Sequence, residues 1–183
     1  MKRLVEENKK SREYSEMLLT INQEHNSRPI MVSGHCEGAE ICLAASIAHD
    51  CRDRGCLIIL PDEKRVHRMS EVLSECGLKC FTYIYRDMMY RNIASSHDGE
   101  YERIRTLHAL LNVECDVVVT TSDAALQFTI PPEKLESSSF IIDINKEYDV
   151  EEIVDFLAKN KYKRCDMVDG VGQFSQRGGI LDI

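Results

Sequence analysis

The chain has no tryptophan and only twelve other aromatic residues, seven Tyr and five Phe. A platform on which nucleic-acid bases stack is therefore not expected. Cationic side chains are the minority. Lys and Arg number 23 against 31 Asp and Glu, a net charge of −8, which opposes strong binding to a phosphate backbone. No apolar run approaches the ~20 residues of a membrane span. The opening Met1-Lys2-Arg3-Leu4-Val5-Glu6-Glu7 turns acidic at once, so neither a secretory signal nor a membrane partner is expected, and the predicted location is the cytoplasm. Internal repeats and low-complexity tracts are lacking as well.

Eight cysteines are present, but no C-x-x-C pair is. The nearest spacing, Cys76-x-x-x-Cys80, has no His or second Cys cluster beside it, and structural zinc is disfavoured. Most of the cysteines lie in or beside apolar runs, as reduced thiols used as small core residues do.

Hydrophobic patterning divides the 183 residues into three parts. Residues 1–28 read as one leading helix, frayed at its start and ended by Asn26-Ser27-Arg28-Pro29. Residues 29–136 alternate short apolar runs with helical patterns. Strands are expected at Ile30–Ser33, Leu57–Leu60, Cys80–Ile84 and Asp116–Thr120, with helices at 39–54, 63–76 and 100–111 between them. Such βαβ units form a doubly wound, mostly parallel sheet covered on both faces. Residues 137–183 form a smaller α+β unit. Its expected elements are a strand at Phe140–Ile144, a helix with Asp149 as its N-cap running to about Asn160, a strand at Arg164–Val168, a turn at Gly170 and Gly172, and the start of a hairpin or meander over Gln173–Ile183.

The loop Gly34-His35-Cys36-Glu37-Gly38-Ala39-Glu40, between the first expected strand and helix, sits where a P-loop sits. A working loop places Lys on the β/γ-phosphates. In one register Glu40 takes that place, in the other Glu37 does, and an anion faces the phosphates. Gly34, Glu37, Gly38 and Glu40 are thus read as a degenerate nucleotide loop, a strand-to-helix turn that does not function. The alternative is a P-loop-type nucleotide-binding enzyme domain. A Cys36 thiolate at the helix N-terminus is weakened as a nucleophile by Glu37 and Glu40. Asp62-Glu63-Lys64-Arg65 and Tyr85-Arg86-Asp87 follow strands and read as helix starts or solvated loops. Asp143 and Asp182 are the only candidate metal carboxylates near strand ends, without further support. No catalytic residue, cofactor or metal is assigned.

The stretch Gly172-Gln173-Phe174-Ser175-Gln176-Arg177-Gly178-Gly179-Ile180-Leu181-Asp182-Ile183 is the specific signal. It resembles the G-E-F-x-x-R-G-G-I-L-D-[IL]-F-P segment shared by the bacterial transcription-repair coupling factor and UvrB family. Tyr162-Lys163-Arg164-Cys165-Asp166-Met167-Val168 is similar to the family's G-Y-x-R-V-D-x-V. Asn160-Lys161 stands where the family usually has a Gly before the Tyr, and Gln173 replaces its usual Glu. Weaker likeness extends upstream, through Glu102-Arg103-Ile104-Arg105-Thr106-Leu107, Val117 to Pro131, and Val32-Ser33-Gly34, the last resembling the degenerate loop of the coupling factor more than the intact loop of UvrB.

The resemblance implies an N-terminal UvrB-like module, its second unit the truncated start of a UvrA-binding domain, with Arg177 at the UvrA interface. In the full-length family an ATP-driven DNA translocase, using ATP and Mg²⁺, displaces stalled RNA polymerase and recruits UvrA for excision repair. The motor, polymerase-binding and DNA-binding parts lie outside this chain. Because Ile180–Ile183 stops where the family continues with further strands, this segment is expected to be poorly ordered or to pair with a neighbouring molecule.

Overall fold

The computed structural model describes residues 2–23, 29–34, 36–86 and 98–183, apart from the side chains of Glu37 and Asp98. The chain is mixed α/β and divides into two compact units, one ending at Thr129 and the other spanning Ile130–Ile183.

The leading segment forms two helices, not one: α1 (Lys2–Lys9) and α2 (Arg12–Ile21). Ser11 makes the break. Its hydroxyl accepts from the Tyr14 N–H at 3.2 Å and starts a new helix as its N-cap. The expected stop at Asn26-Ser27-Arg28 lies outside the described residues. α1 packs on α3 (Glu37–Asp50), where Ala45, Ser46 and Ala48 are fully buried and leave room for Val5. Asp50 ties the pair down. It accepts from Tyr14 Oη at 2.6 Å and pairs with Lys9, while Asn8 Nδ2 donates to Ser46 Oγ at 2.9 Å. Burial pushes the Asp50 carboxyl up, but the Lys9 and Tyr14 hydrogen bonds outweigh it and hold the group below its ordinary value.

The first unit is built on a parallel sheet of β1 (Cys56–Leu60), β2 (Cys80–Tyr83) and β3 (Val117–Thr121), in the order β1-β3-β2. Cys56 and Cys80 both register with Val117. Central β3 is buried throughout, as its continuous β-branched sequence requires. One face packs Leu60, Val117 and Val119 under α3 and α4 (Glu63–Glu75), which contributes Val66, Met69 and Leu73 at helical spacing. On the other face Val118 and Tyr83 meet Leu107 of α5 (Asp98–Leu111) and Ala124 of α6 (Ser122–Ala125).

Two expectations are corrected here. Residues 30–33 are not a strand: Ile30, Met31 and Val32 are exposed and register with no neighbour. The second sheet face is covered only in part, because Leu57 and Ile59 of edge strand β1 stay exposed. The P-loop-like arrangement expected of this unit, a strand running into the loop, is therefore absent at 30–34.

Thiols fill the first unit as expected of small core side chains. Cys42, Cys51 and Cys76 are buried and none of the eight cysteines is bonded to another. Burial pushes the Cys51, Cys56, Cys76 and Cys80 thiols up, and the Cys115 thiol to about 11, which keeps them protonated at neutral pH.

The second unit opens with α7 (Pro132–Ser137), Pro132 at its first position, and continues to α8 (Val150–Lys159). Asp149 caps α8 as expected, accepting from the Glu151 N–H at 2.9 Å. A small sheet follows, β4 (Lys163–Arg164), β5 (Gln173–Arg177) and β6 (Ile180–Asp182), in that order, with β4 parallel and β6 antiparallel to β5. Its core is Ile153, Leu157 and Phe174, with Phe140, Tyr148, Val154, Tyr162 and Leu181 packed around them.

Here three further expectations fail. Residues 140–144 are not a strand, because the Tyr148 hydroxyl occupies their backbone, accepting from the Asp143 N–H at 2.9 Å and donating to the Ile141 carbonyl. The strand expected at 164–168 shrinks to Lys163–Arg164, since the Asp166 carbonyl is taken by Ser175 Oγ at 3.0 Å. Residues 180–182 are not left unpaired: they pair with β5 in their own chain, and β6 forms the outer edge of that sheet.

The two departures from the family segment acquire physical meaning. Lys161 ends α8 at φ 69°, with the Tyr162 N–H bonded to the Leu157 carbonyl at 3.0 Å. This is the left-handed C-cap position that favours Gly. We expect Lys161→Gly to stabilise the second unit by about 1 kcal/mol, because the left-handed conformation costs an L-residue about that much. A raised urea midpoint with unchanged slope would show it; a lowered one would refute the strain. Gln173 Oε1 accepts from the Asp169 N–H at 3.1 Å, a role a Glu carboxylate also fills.

Candidate functional site

The hairpin of β5 and β6 turns through Gly178-Gly179, since Arg177 registers with Ile180. Gly178 has φ 62°, the positive value that a two-residue turn takes at its first position and that a side chain would strain. Arg177, immediately before this turn, is 66% exposed. Its Nη2 donates to Asp182 Oδ2 at 2.6 Å. The two are diagonal neighbours on one face of the hairpin, because Asp182 registers with Ser175, two residues from Arg177.

Beside it lies a cleft of about 350 Å³, lined by Arg164, Cys165, Asp166, Ser175, Gln176 and Arg177. Arg164 Nη2 donates to Gln176 Oε1 at 3.4 Å. Two guanidiniums thus line one polar cleft held by a sheet whose inner residues are buried. Such a surface takes carboxylates from a protein partner well. Sequence reasoning missed Arg164 as a site residue, although the Tyr162–Val168 stretch already contained it.

The other candidates fall apart. In the 34–40 loop, Gly34 has φ 78°, Gly38 is exposed and Glu40 is half-buried on the first turn of α3. Cys36 stands at the N-cap position without a capping hydrogen bond from its side chain. Glu37 opens the helix, while its side chain and all of His35 lie outside the described residues. Asp62 is the N-cap of α4, accepting from the Arg65 N–H at 2.9 Å, an ordinary helix start. Arg86 pairs with Glu100 at 2.8 Å, and Asp87 lies outside the described residues. Asp143 accepts from the Asn145 N–H at 2.9 Å in a local turn, and Asp182 is engaged by Arg177. Among the described residues no group of three or more His, Cys, Asp or Glu is placed to hold a metal ion, and no helix is long and apolar enough to cross a membrane.

Arg103 is the most buried cation of the upstream likeness. It is 6% exposed, lies 3.8 Å over the Tyr83 ring centroid, and donates to the Ile84 carbonyl at 2.7 Å and to Tyr83 Oη. It holds the end of β2 and presents nothing to a partner.

Comparison with known proteins finds likeness in both units' sequence, including the segment that holds the hairpin. Residues 140–183 match the family of the UvrB interaction domain. The chain is 33% identical over 102 residues to transcription-repair-coupling factor of Bacillus subtilis (strain 168), which covers 55% of this chain and 9% of that protein. The factors of Staphylococcus aureus (strain USA300) and Staphylococcus haemolyticus (strain JCSC1435) are 32% and 30% identical over 104 residues, each covering 56% of this chain and 9% of theirs. The matched part is thus a small fraction of those relatives' length. Residues 140–183 are thus similar to the UvrB interaction domain, and over about half its own length the chain is similar to transcription-repair-coupling factor.

Proposed function

We propose that this chain is a non-catalytic, UvrB-like module that binds UvrA, as part of nucleotide excision repair coupled to transcription. The observation that carries this is an exposed Arg177 on an ordered hairpin within the segment that matches the UvrB interaction domain. Arg164 lines the same cleft and adds a second cation. In the longer protein, an ATP- and Mg²⁺-driven motor would displace stalled RNA polymerase from DNA, and this module would bring UvrA to the site.

The first unit is read as a degenerate relative of the P-loop fold. A nucleotide-dependent enzyme would need a cation in the loop, and Gly34–Glu40 contains no Lys or Arg. Glu37 and Glu40 repel phosphate from the N-terminus of α3, where a working loop attracts it.

The test is Arg177→Ala in the whole chain, titrated against UvrA. Loss of an interface Arg that meets a carboxylate costs about 2 kcal/mol, about thirtyfold in Kd. The expected result is that loss with an unchanged thermal transition. Unchanged affinity in a folded variant would remove Arg177 from the interface.

A further inference from the structure

We infer that Asp182 is a positioning residue for the partner interface: it fixes the Arg177 guanidinium in the orientation in which Arg177 takes a carboxylate of the partner. The inference rests on the reading of Arg177 as an interface residue. Its own basis is the geometry of the hairpin. Arg177 and Asp182 stand on one face, diagonally across the two strands. Their side chains meet at 2.6 Å although both are open to water, 66% and 42% exposed.

A free arginine beside a turn samples many rotamers and must give up that freedom when a partner docks. Asp182 removes part of the cost in advance. It does so without using up the guanidinium, because Asp182 takes one bond, on Nη2, and among the described residues nothing else accepts from Arg177. The donors on Nε and Nη1 remain for an incoming carboxylate. The backbone supports this placement. Gly178 closes the turn at positive φ, and Ser175, opposite Asp182, is buried with its hydroxyl on the Asp166 carbonyl. Asp182 therefore sits on a strand whose register is fixed. Asp182 also cancels charge that would attract an acidic partner. Orientation and competition thus predict opposite signs for its removal.

Two measurements on the whole chain decide it. The first needs no partner: nuclear magnetic relaxation of the Arg177 Nε–H. We expect an ordered side chain in the natural sequence and a flexible one, with an order parameter below about 0.6, in Asp182→Asn. Equal order in the two proteins would overturn the inference whatever UvrA does.

The second is UvrA affinity of Asp182→Asn, Asp182→Glu, Arg177→Ala and the Arg177→Ala/Asp182→Asn double variant. We expect Asp182→Asn to weaken binding about three- to tenfold and Asp182→Glu to restore part of the loss. In the Arg177→Ala background the same change should have an effect of less than about twofold. Tighter binding by Asp182→Asn would show competition and refute positioning, as would an equal loss in both backgrounds. If the natural chain does not bind UvrA, the proposed function fails, and the relaxation measurement still judges the Arg177–Asp182 pair by itself.

Discussion

Phe174→Ala is expected to unfold the second unit. Phe174 is 2% exposed and is the largest of the three buried side chains of this core, the others being Ile153 and Leu157. Truncating a buried Phe costs about 3–5 kcal/mol, because the transfer energy is lost and a cavity remains. A unit this small has a stability on the order of 3–8 kcal/mol in total. The loss therefore consumes most or all of the margin. Amide protection should vanish across Ile130–Ile183, and with it UvrA binding, while the amides of β1, β2 and β3 keep theirs. Phe174→Leu, which retains most of the volume, should cost less than about 1.5 kcal/mol. Protection surviving in β5 and β6 of Phe174→Ala would mean that the unit's stability comes from somewhere other than this core.

The second large effect is expected at Arg103. Its guanidinium stacks on Tyr83 and bonds the Ile84 carbonyl and the Tyr83 hydroxyl inside the first unit. Among the described residues no carboxylate accepts from it. Burial, together with nearby Arg86, pushes it below its ordinary value against the pull of Tyr83. Arg103→Ala leaves one buried acceptor, the Tyr83 hydroxyl, and one half-buried acceptor, the Ile84 carbonyl, without their donor and removes the stacked plane. Hydrogen bonds to a charged group are worth about 1.5–3 kcal/mol each, so a loss of about 3 kcal/mol or more is expected in urea unfolding of the first unit. Arg103→Lys should recover less than half of it, since an ammonium cannot stack on the ring and reach both acceptors. A fully stable Arg103→Lys would show that charge alone matters at this position.

Each variant acts on the core of its own unit, and only Phe174→Ala unfolds the unit that holds Arg177. That separates the core from the interface. A folded Arg177→Ala with weakened binding and an unfolded Phe174→Ala with none would reach the same functional end by different physical routes, and the thermal transition tells them apart.

Much of the first unit was legible from local pattern. Cys56–Leu60, Glu63–Glu75, Cys80–Tyr83 and Val117–Thr121 fall close to where apolar runs and helical spacing place them. In these elements propensity, periodicity and capping agree, and burial rewards the same answer. Ser11 was equally local, yet its hydroxyl split a segment that reads as one helix. The Arg177 hairpin was legible in part: Gln173–Ile183 reads as the start of a hairpin or meander, but the turn at Gly178-Gly179 and the pairing of residues 180–182 with β5 came from the structure.

Local pattern could not decide which apolar runs become strands. Ile30–Val32 and Phe140–Ile144 have strand composition, but a strand exists only by pairing, and pairing is decided by residues distant in sequence. The Tyr148 hydroxyl claimed the backbone of 141 and 143, and Ile30–Val32 found no neighbour in the sheet. The sequence by itself determined the three strands of the first sheet with the helices between them, the acidic loop that lacks a cation and the arginine before Gly178. Only the tertiary structure decided that Arg103 is buried rather than offered, that Arg164 and Arg177 line one cleft, and that Asp182 reaches Arg177. The first depends on how α5 packs on β2 and the others on strand register, which brings residues within a few ångströms of one another irrespective of their spacing along the chain.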